Sequence, residues 1–528
     1  MFRRWRSSVG GPAAAALLVV SLVSGLFTHA YNLSQYPLFL TDEGIYVQQA
    51  WSLVNDGRLS PYTYFYDHAP GGWIVMAGWA GVLPGGFHAF GNEVGTMRIL
   101  MLVAHVASVG LLFGIVRTVT NSAAGAFIAA FIVNFSPLAI YYQRMVLLDN
   151  LMVFWLLLAI YLLINARGRI GTAMIAGFAF GVSVITKENA IFFVPALGYL
   201  AHRQVKGQQN RRFVTSFWWI AVTVPVAAYV LFALFNHEFF PTRLNFDRHN
   251  PPADHVSLLY SIWWQLNRTS PKGHSVFLEM MQGSWLPKDP MLLIGGSAAV
   301  LAVLWLWFRD RAHRPGYLVA ALLVLGYAFY LVRGSQLLDF YVAPILPLLA
   351  LNVGVLFGHL ASRVAVPVRA GAAASLVVAA LLVPGAYVLH HDTHGRVQFQ
   401  DLYHLQLTTM QERQIDFVRA NISPDARIIM DDDIWTALHD RQPVFPNAHS
   451  HFKASSDPYV RDKLFRSDWR NIDYVVMSNR MHQSMVDNNA GGRESWILEA
   501  VDKHSEQVWH AKRGNVQLGV YKIHTQDQ

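Results

Sequence analysis

Five short clusters in this chain combine acids, cations or imidazoles at spacings that could do chemistry. The first is Thr41-Asp42-Glu43-Gly44, two adjacent carboxylates that could take a proton from an attacking hydroxyl. A helix cap with an acidic first turn is the other reading, since Thr41 and Asp42 both suit an N-cap. The second is Tyr64-Phe65-Tyr66-Asp67-His68-Ala69-Pro70-Gly71-Gly72, an acid and an imidazole beside a turn-forming Pro-Gly-Gly. Asp67 and His68 are residue types that ligate divalent ions, so a metal or phosphate site is open here, as is an ordinary turn. The third cluster runs from Tyr141 to Asn150 and holds Arg144 and Asp149. The fourth is Thr186-Lys187-Glu188-Asn189, and the fifth pairs Arg333 with Asp339.

These clusters must be positioned by a membrane scaffold. Of 528 residues, 53% are hydrophobic and only 14% charged, against about 25% charged in an average soluble domain. Such a chain cannot cover a water-facing surface. Apolar runs of spanning length occur at 13–29, 97–116, 123–140, 217–235, 291–308, 317–332, 341–361 and 370–389, with shorter candidates at 151–164, 172–186 and 190–199. The expectation is about eleven spanning helices.

Lysine and arginine bias orients them. Counted alternately, the loops sharing a side with Arg3, Arg4 and Arg6 contain Arg117, Arg167, Arg169, Arg203, Lys206, Arg211, Arg212, Arg309, Arg311, Arg314, Arg363 and Arg369. That face is expected to be cytoplasmic. The basic, apolar start reads as an uncleaved first helix and not as a removed signal. The net charge of +8 thus follows membrane orientation and implies no nucleic-acid partner. With no cysteine in the chain, disulfides and thiolate metal sites are excluded.

The opposite face receives the long polar segments: a loop at 32–96 with an apolar stretch Trp73–Leu83 expected at the interface, a second loop at 236–290, and a tail after residue 389. In the tail, Gln411–Ala420 has helical spacing and Arg427–Met430, Tyr474–Met477 and Val516–Ile523 read as short buried strands. The expected organisation is a transmembrane catalytic domain over 1–389 and a soluble extracytoplasmic α/β domain over 390–528. Asp431-Asp432-Asp433 reads as a solvated strand end. The basic-side loops are too short for a nucleotide-sugar domain, and neither a Walker A nor a GxGxxG motif is present. Any active site belongs to the outer loops, where Arg144, Lys187 and Arg333 stand at the outer ends of spans against the charge bias. Three such cations, each near an acid, suit either a polar cavity or three structural ion pairs.

In their order and membrane placement, Asp42-Glu43, Tyr66-Asp67-His68-Ala69-Pro70, Arg144-Met145-Val146-Leu147-Leu148-Asp149-Asn150, and Thr186-Lys187-Glu188 followed by Ala190–Pro195 resemble the GT-C membrane glycosyltransferases of the protein O-mannosyltransferase and aminoarabinose-lipid A transferase type. The resemblance is carried by residues 35–202 and beyond them rests mainly on topology. It implies a polytopic α-helical membrane enzyme, with multi-pass placement in the cell membrane, that takes a sugar from a polyprenyl-phosphate donor and gives it to a hydroxyl of a lipid, glycan or protein acceptor. It assigns the catalytic base to Asp42, beside Glu43, and places Asp149 in the acceptor and metal region. Several relatives have a lysine in the first-loop motif that contacts the donor phosphate. His68-Ala69-Pro70 stands there in this chain, which leaves donor-phosphate binding to Arg144, Lys187 and Arg333. Asp67 and His68 are the candidates for a divalent metal ion. A secondary transporter or flippase of lipid-linked sugars is the competing class, against which stand the missing repeat symmetry and the one-sided polar mass. A non-catalytic scaffold with a binding tail is the third.

Overall fold

A computed structural model describes residues 11–206, 208–241, 257–267, 275–311, 314–334, 337–361, 405–488 and 492–524. The apolar run at 370–389, the basic residues Arg3, Arg4, Arg6, Arg363 and Arg369, and the proposed boundary at 389 lie outside them.

The apolar runs form helices of spanning length at Pro12–Ala30 (α1), Glu93–Thr120, Arg211–Phe235, Pro290–Arg309, Pro315–Arg333 and 339–361. Shorter apolar helices occupy Leu148–Ile164 and Ile170–Thr186. The run at 123–140 is broken: helices Ala123–Phe135 and Pro137–Gln143 meet at a 67° bend. Ser136 ends one and caps the other through Ala139 N–H, and Pro137 cannot continue a helix that already needs its N–H. The run at 190–199 starts as a tight helical turn over Glu188–Phe193 before the helix Val194–Gln204.

Tight membrane packing follows from small residues. A Cβ on Gly177 would lie 2.4 Å from Trp218 O, and one on Gly181 2.5 Å from Val222 O. The helices Ile170–Thr186 and Arg211–Phe235 can therefore meet backbone to backbone. The chain is a multi-pass membrane protein with this helical body.

Between α1 and the next long span the chain forms helix α2 at Thr41–Asn55 and an apolar helix at Gly71–Val82, the latter matching the stretch expected at the interface. The tail carries helix Thr408–Asn421 and a five-stranded sheet in the order β2-β1-β3-β5-β4. The strands are β1 Ile428–Met430, β2 Ala448–Ser450, β3 Tyr474–Ser478, β4 Ser505–Arg513 and β5 Val516–Ile523. Strand β1 pairs in parallel with β2 and β3, while β5 runs antiparallel to β3 and β4. Sequence periodicity finds β1, β3 and β5. It misses β2, which is three residues long, and β4, whose outward face is polar and exposed.

The acidic run after β1 corrects the expectation of a solvated strand end. Asp431 and Asp432 are buried against α2. Thr41 Oγ1 donates to Asp431 at 2.8 Å, and Gln48 Nε2 and Ser450 Oγ donate to Asp432 at 2.7 and 2.6 Å. Gln411 Nε2 donates to Asp433 at 2.5 Å. Gly44 makes this seam possible, because a Cβ there would sit 2.1 Å from Asp432 O. The tail is thus locked onto the first turn of α2, where the paired acids Asp42 and Glu43 lie.

Candidate active site

Asp42 and Glu43 are neighbours in sequence, and one helical step of about 100° sends them to different places. Glu43 turns inward and is fully buried against Arg98, which is also fully buried. Arg98 Nε and Nη2 donate to its two oxygens at 2.9 and 2.7 Å. Leu40 N–H and Val146 N–H add donors at 3.1 and 2.8 Å. Arg98 also donates to Leu33 O and Pro37 O. Every oxygen of Glu43 is engaged, so its catalytic assignment is corrected: it is the anchor that fixes the turn from which Asp42 projects.

Asp42 is half-buried and lines a cavity of about 120 Å³ between α2, the first outer loop and the tail. Burial pushes its carboxyl up from the usual range, Lys187 and His68 pull it back, and the acids Asp149 and Asp432 push it up further. A carboxylate of raised basicity beside open space suits a general base.

On the other side of the Asp67-His68 segment lies a second, larger groove of about 250 Å³. Its walls are largely apolar, with Val184, Ile191, Phe192, Val226, Val230 and Ile262, and its polar part includes Lys187, Arg333 and Tyr341. Asp67 and His68 line both cavities. An apolar groove with cations at one part, meeting a carboxylate-bearing cavity, can hold an amphiphile with an anionic head.

The three outer cations separate. Lys187 Nζ sits 2.5 Å from Asp149 Oδ2, both buried, and lies 4.7 Å above the Tyr341 ring. Asp149 Oδ1 is buried with no hydrogen-bond partner among the described residues. Arg333 lines the groove, donates from Nη2 to Gln265 O at 2.6 Å and stacks over Phe192. Arg144 does not reach either cavity. It is fully buried and donates from Nη2 to Thr28 O and Tyr31 O at 2.8 and 3.2 Å, closing the C-terminal end of α1. Its donor-phosphate assignment is corrected to a helix-end clamp.

The metal expectation for Asp67 and His68 also meets a different geometry. Asp67 is exposed. His68 Nδ1 is 3.2 Å from Glu188 Oε2, and Glu188 also accepts from Ala69 N–H. Among the described residues, Asp67 and His68 converge with no third His or carboxylate ligand atom; the group that does so is His88, Glu93 and Asp440, at the seam between the first outer loop and the tail. Glu188 instead acts as the clasp that holds the His68-Ala69 turn between the two cavities.

Sequence reasoning also missed Arg98, although a cation one residue inside an apolar run is a signal. It missed Asp432, Phe452 and Lys453, which the tail contributes to the Asp42 cavity. Nothing local marks Phe452 and Lys453, and the run holding Asp432 reads as a strand end; the seam at Gly44 brings all three there.

The family model for dolichyl-phosphate-mannose-protein mannosyltransferase matches residues 74–233, a segment that contains Asp149 and Lys187 and begins after Asp42. Among solved structures, the chain is similar to ArnT from Cupriavidus metallidurans bound to undecaprenyl phosphate, with TM-score 0.57 and 15% identity over 96% of this chain and 97% of that one. It is similar to the apo oligosaccharyltransferase of Archaeoglobus fulgidus, with TM-score 0.57 and 12% identity over 97% of this chain and 74% of that one. The apo state of the Cupriavidus metallidurans ArnT gives TM-score 0.53 at 13% identity, covering 96% and 97%. No curated protein sequence matches at a significant level. Along nearly its whole length the chain shares the fold of these solved membrane proteins, and its segment 74–233 is similar to the mannosyltransferase family.

Proposed function

We propose that the protein transfers a sugar from a polyprenyl-phosphate donor to an acceptor hydroxyl on the extracytoplasmic face, with inversion at the anomeric carbon. The observation that carries this reading is the meeting of two cavities at Asp67-His68, one holding Asp42 and the other lined by Lys187, Arg333 and apolar walls. The prenyl chain lies along Val184, Ile191, Phe192, Val226 and Ile262. Its phosphate faces Arg333 and the Lys187–Asp149 pair. Asp42 removes the acceptor proton as the acceptor oxygen bonds to the anomeric carbon. The bond from that carbon to the phosphate oxygen breaks, and the electron pair leaves with polyprenyl phosphate. Cations beside the departing phosphate stabilise the charge that develops there. No step is routed through a metal, because Asp67 and His68 gather no third ligand among the described residues.

In this reading the N-terminus is cytoplasmic and the tail extracytoplasmic. Residues 1–389 form the catalytic membrane domain, and residues 390–528 orient the acceptor. Asp42→Asn protein in nanodiscs tests the chemistry under single-turnover conditions with labelled polyprenyl-phosphate mannose. Transfer should fall about a hundredfold, the usual scale for losing a general base, with donor binding intact. Turnover close to the parent's would move the base elsewhere.

A further inference from the structure

The Asp42 cavity has unmet hydrogen-bonding capacity on its walls. Gln48 Oε1, Gln49 Oε1 and Trp73 Nε1 are buried, line the cavity, and have no hydrogen-bond partner among the described residues. Gln48 spends its amide N–H on Asp432, while its oxygen is left with no partner among the described residues. Buried polar atoms are rarely left orphaned, so a ligand or water must complete them. Aromatic faces stand around the same space: Tyr62 and Phe65 from the first loop and Phe452 from the tail. Lys453 Nζ is 3.9 Å above the Phe65 ring, so the one lysine or arginine lining the cavity among the described residues is already held over an aromatic face.

We infer that this cavity is the acceptor subsite and that it takes one neutral pyranose ring, so that the acceptor is a glycan hydroxyl. This rests on the transfer reading above and specifies its second substrate. A sugar ring offers hydroxyl donors to Gln48, Gln49 and the carboxylates, an oxygen to the Trp73 N–H, and C–H faces to the rings. A serine or threonine side chain has one hydroxyl and would leave most of these groups unmet. The cavity's acids Asp42, Asp67 and Asp432 outnumber Lys453, which opposes a phosphorylated or carboxylated acceptor. The volume of about 120 Å³ is several times the ~10–15 Å³ that a single water needs, so the space admits a ligand of more than a few heavy atoms. One wall is Phe452 on helix His451–Ser456, so the tail selects the acceptor by completing the box.

The test displays full-length protein in fluorescent nanodiscs on an array of neutral oligosaccharides, phosphorylated and sulfated oligosaccharides, and Ser/Thr peptides. Binding of undecaprenyl phosphate is measured on the same preparation. Phe452 is 46% exposed, so Phe452→Ala spares the core, and Gln49→Ala is the second variant. Neutral glycans should be bound, with affinity reduced about tenfold in Phe452→Ala by loss of a stacking face. The inference is overturned if no neutral glycan binds, if peptides or anionic glycans bind best, or if both variants bind glycans like the parent. Retained undecaprenyl phosphate binding in those cases removes only the acceptor assignment. Glycan binding that responds to the variants, with no binding of undecaprenyl phosphate, would keep the sugar site and sink the transfer reading.

Discussion

The division of roles between Asp42 and Glu43 can be separated by substituting Glu43. Its carboxylate sits in a fully buried pair with Arg98 and accepts four hydrogen bonds, two from the guanidinium and two from backbone N–H groups. Glu43→Gln keeps the shape and one acceptor oxygen, but turns the other into a donor facing Arg98. The guanidinium is then buried without its counter-charge, keeping among the described residues the amide oxygen, Leu33 O, Pro37 O and the Phe39 face as partners. Breaking a buried pair from one side costs about 3–5 kcal/mol. That is below the sum of the lost charge-assisted bonds, at ~1.5–3 kcal/mol each, because the amide oxygen keeps one guanidinium N–H and one backbone N–H. Arg98→Met should cost a similar amount, and the double variant less than the two singles added, since neither charge is stranded. Thermal unfolding in detergent, followed by tryptophan fluorescence, reads all three. The fraction of Glu43→Gln that stays folded should turn over at a rate within a few-fold of the parent. A Glu43→Gln protein as stable as the parent but as inactive as Asp42→Asn would make Glu43 the reacting carboxylate and refute this partition.

Arg333→Gln should weaken binding of undecaprenyl phosphate by about 1.5–3 kcal/mol, whereas Arg144→Gln should leave donor affinity alone and lower stability; an unaltered affinity in Arg333→Gln would return Arg333 to a packing role. Lys453, pushed down to about 8 by burial against the pull of Asp67, Asp432 and Asp457, holds fewer protons folded than unfolded between pH 8 and roughly 10.4, so its contribution to stability rises with pH in that window. Lys453→Met should therefore melt above the parent at pH 7, by a margin that shrinks as pH climbs past 8; a pH-independent margin would contradict the buried-ammonium account. Because burial raises the Asp42 carboxyl, the transfer rate should increase with pH through a point above the ordinary carboxylate range, a limb that Asp42→Asn should lack. Dialysis against EDTA should leave donor binding and transfer unchanged, and a loss restored by a divalent ion would reinstate Asp67 and His68 as ligands.

Features that depend on neighbours along the chain could be read in advance. A lipid-crossing helix must be apolar over its own length, so run lengths located Pro12–Ala30, Glu93–Thr120 and Pro315–Arg333 within a few residues. Strands β3 and β5 were readable because both are buried through most of their length. The candidate clusters Asp42, Asp67-His68, Lys187 and Arg333 were legible as charges placed where a membrane protein must either pair or use them. The use of each was decided by tertiary structure alone. Glu43 met Arg98 across 55 residues, and Arg144 met Thr28 O across 116. Thr41 met Asp431 across 390 residues, which turned an acidic strand end into a buried seam and carried Phe452 and Lys453 to the cavity. Local pattern cannot foresee such pairs: side-chain type states how costly burial of a charge will be, while the partner that offsets the cost is chosen by which distant backbones can approach, as at Gly44.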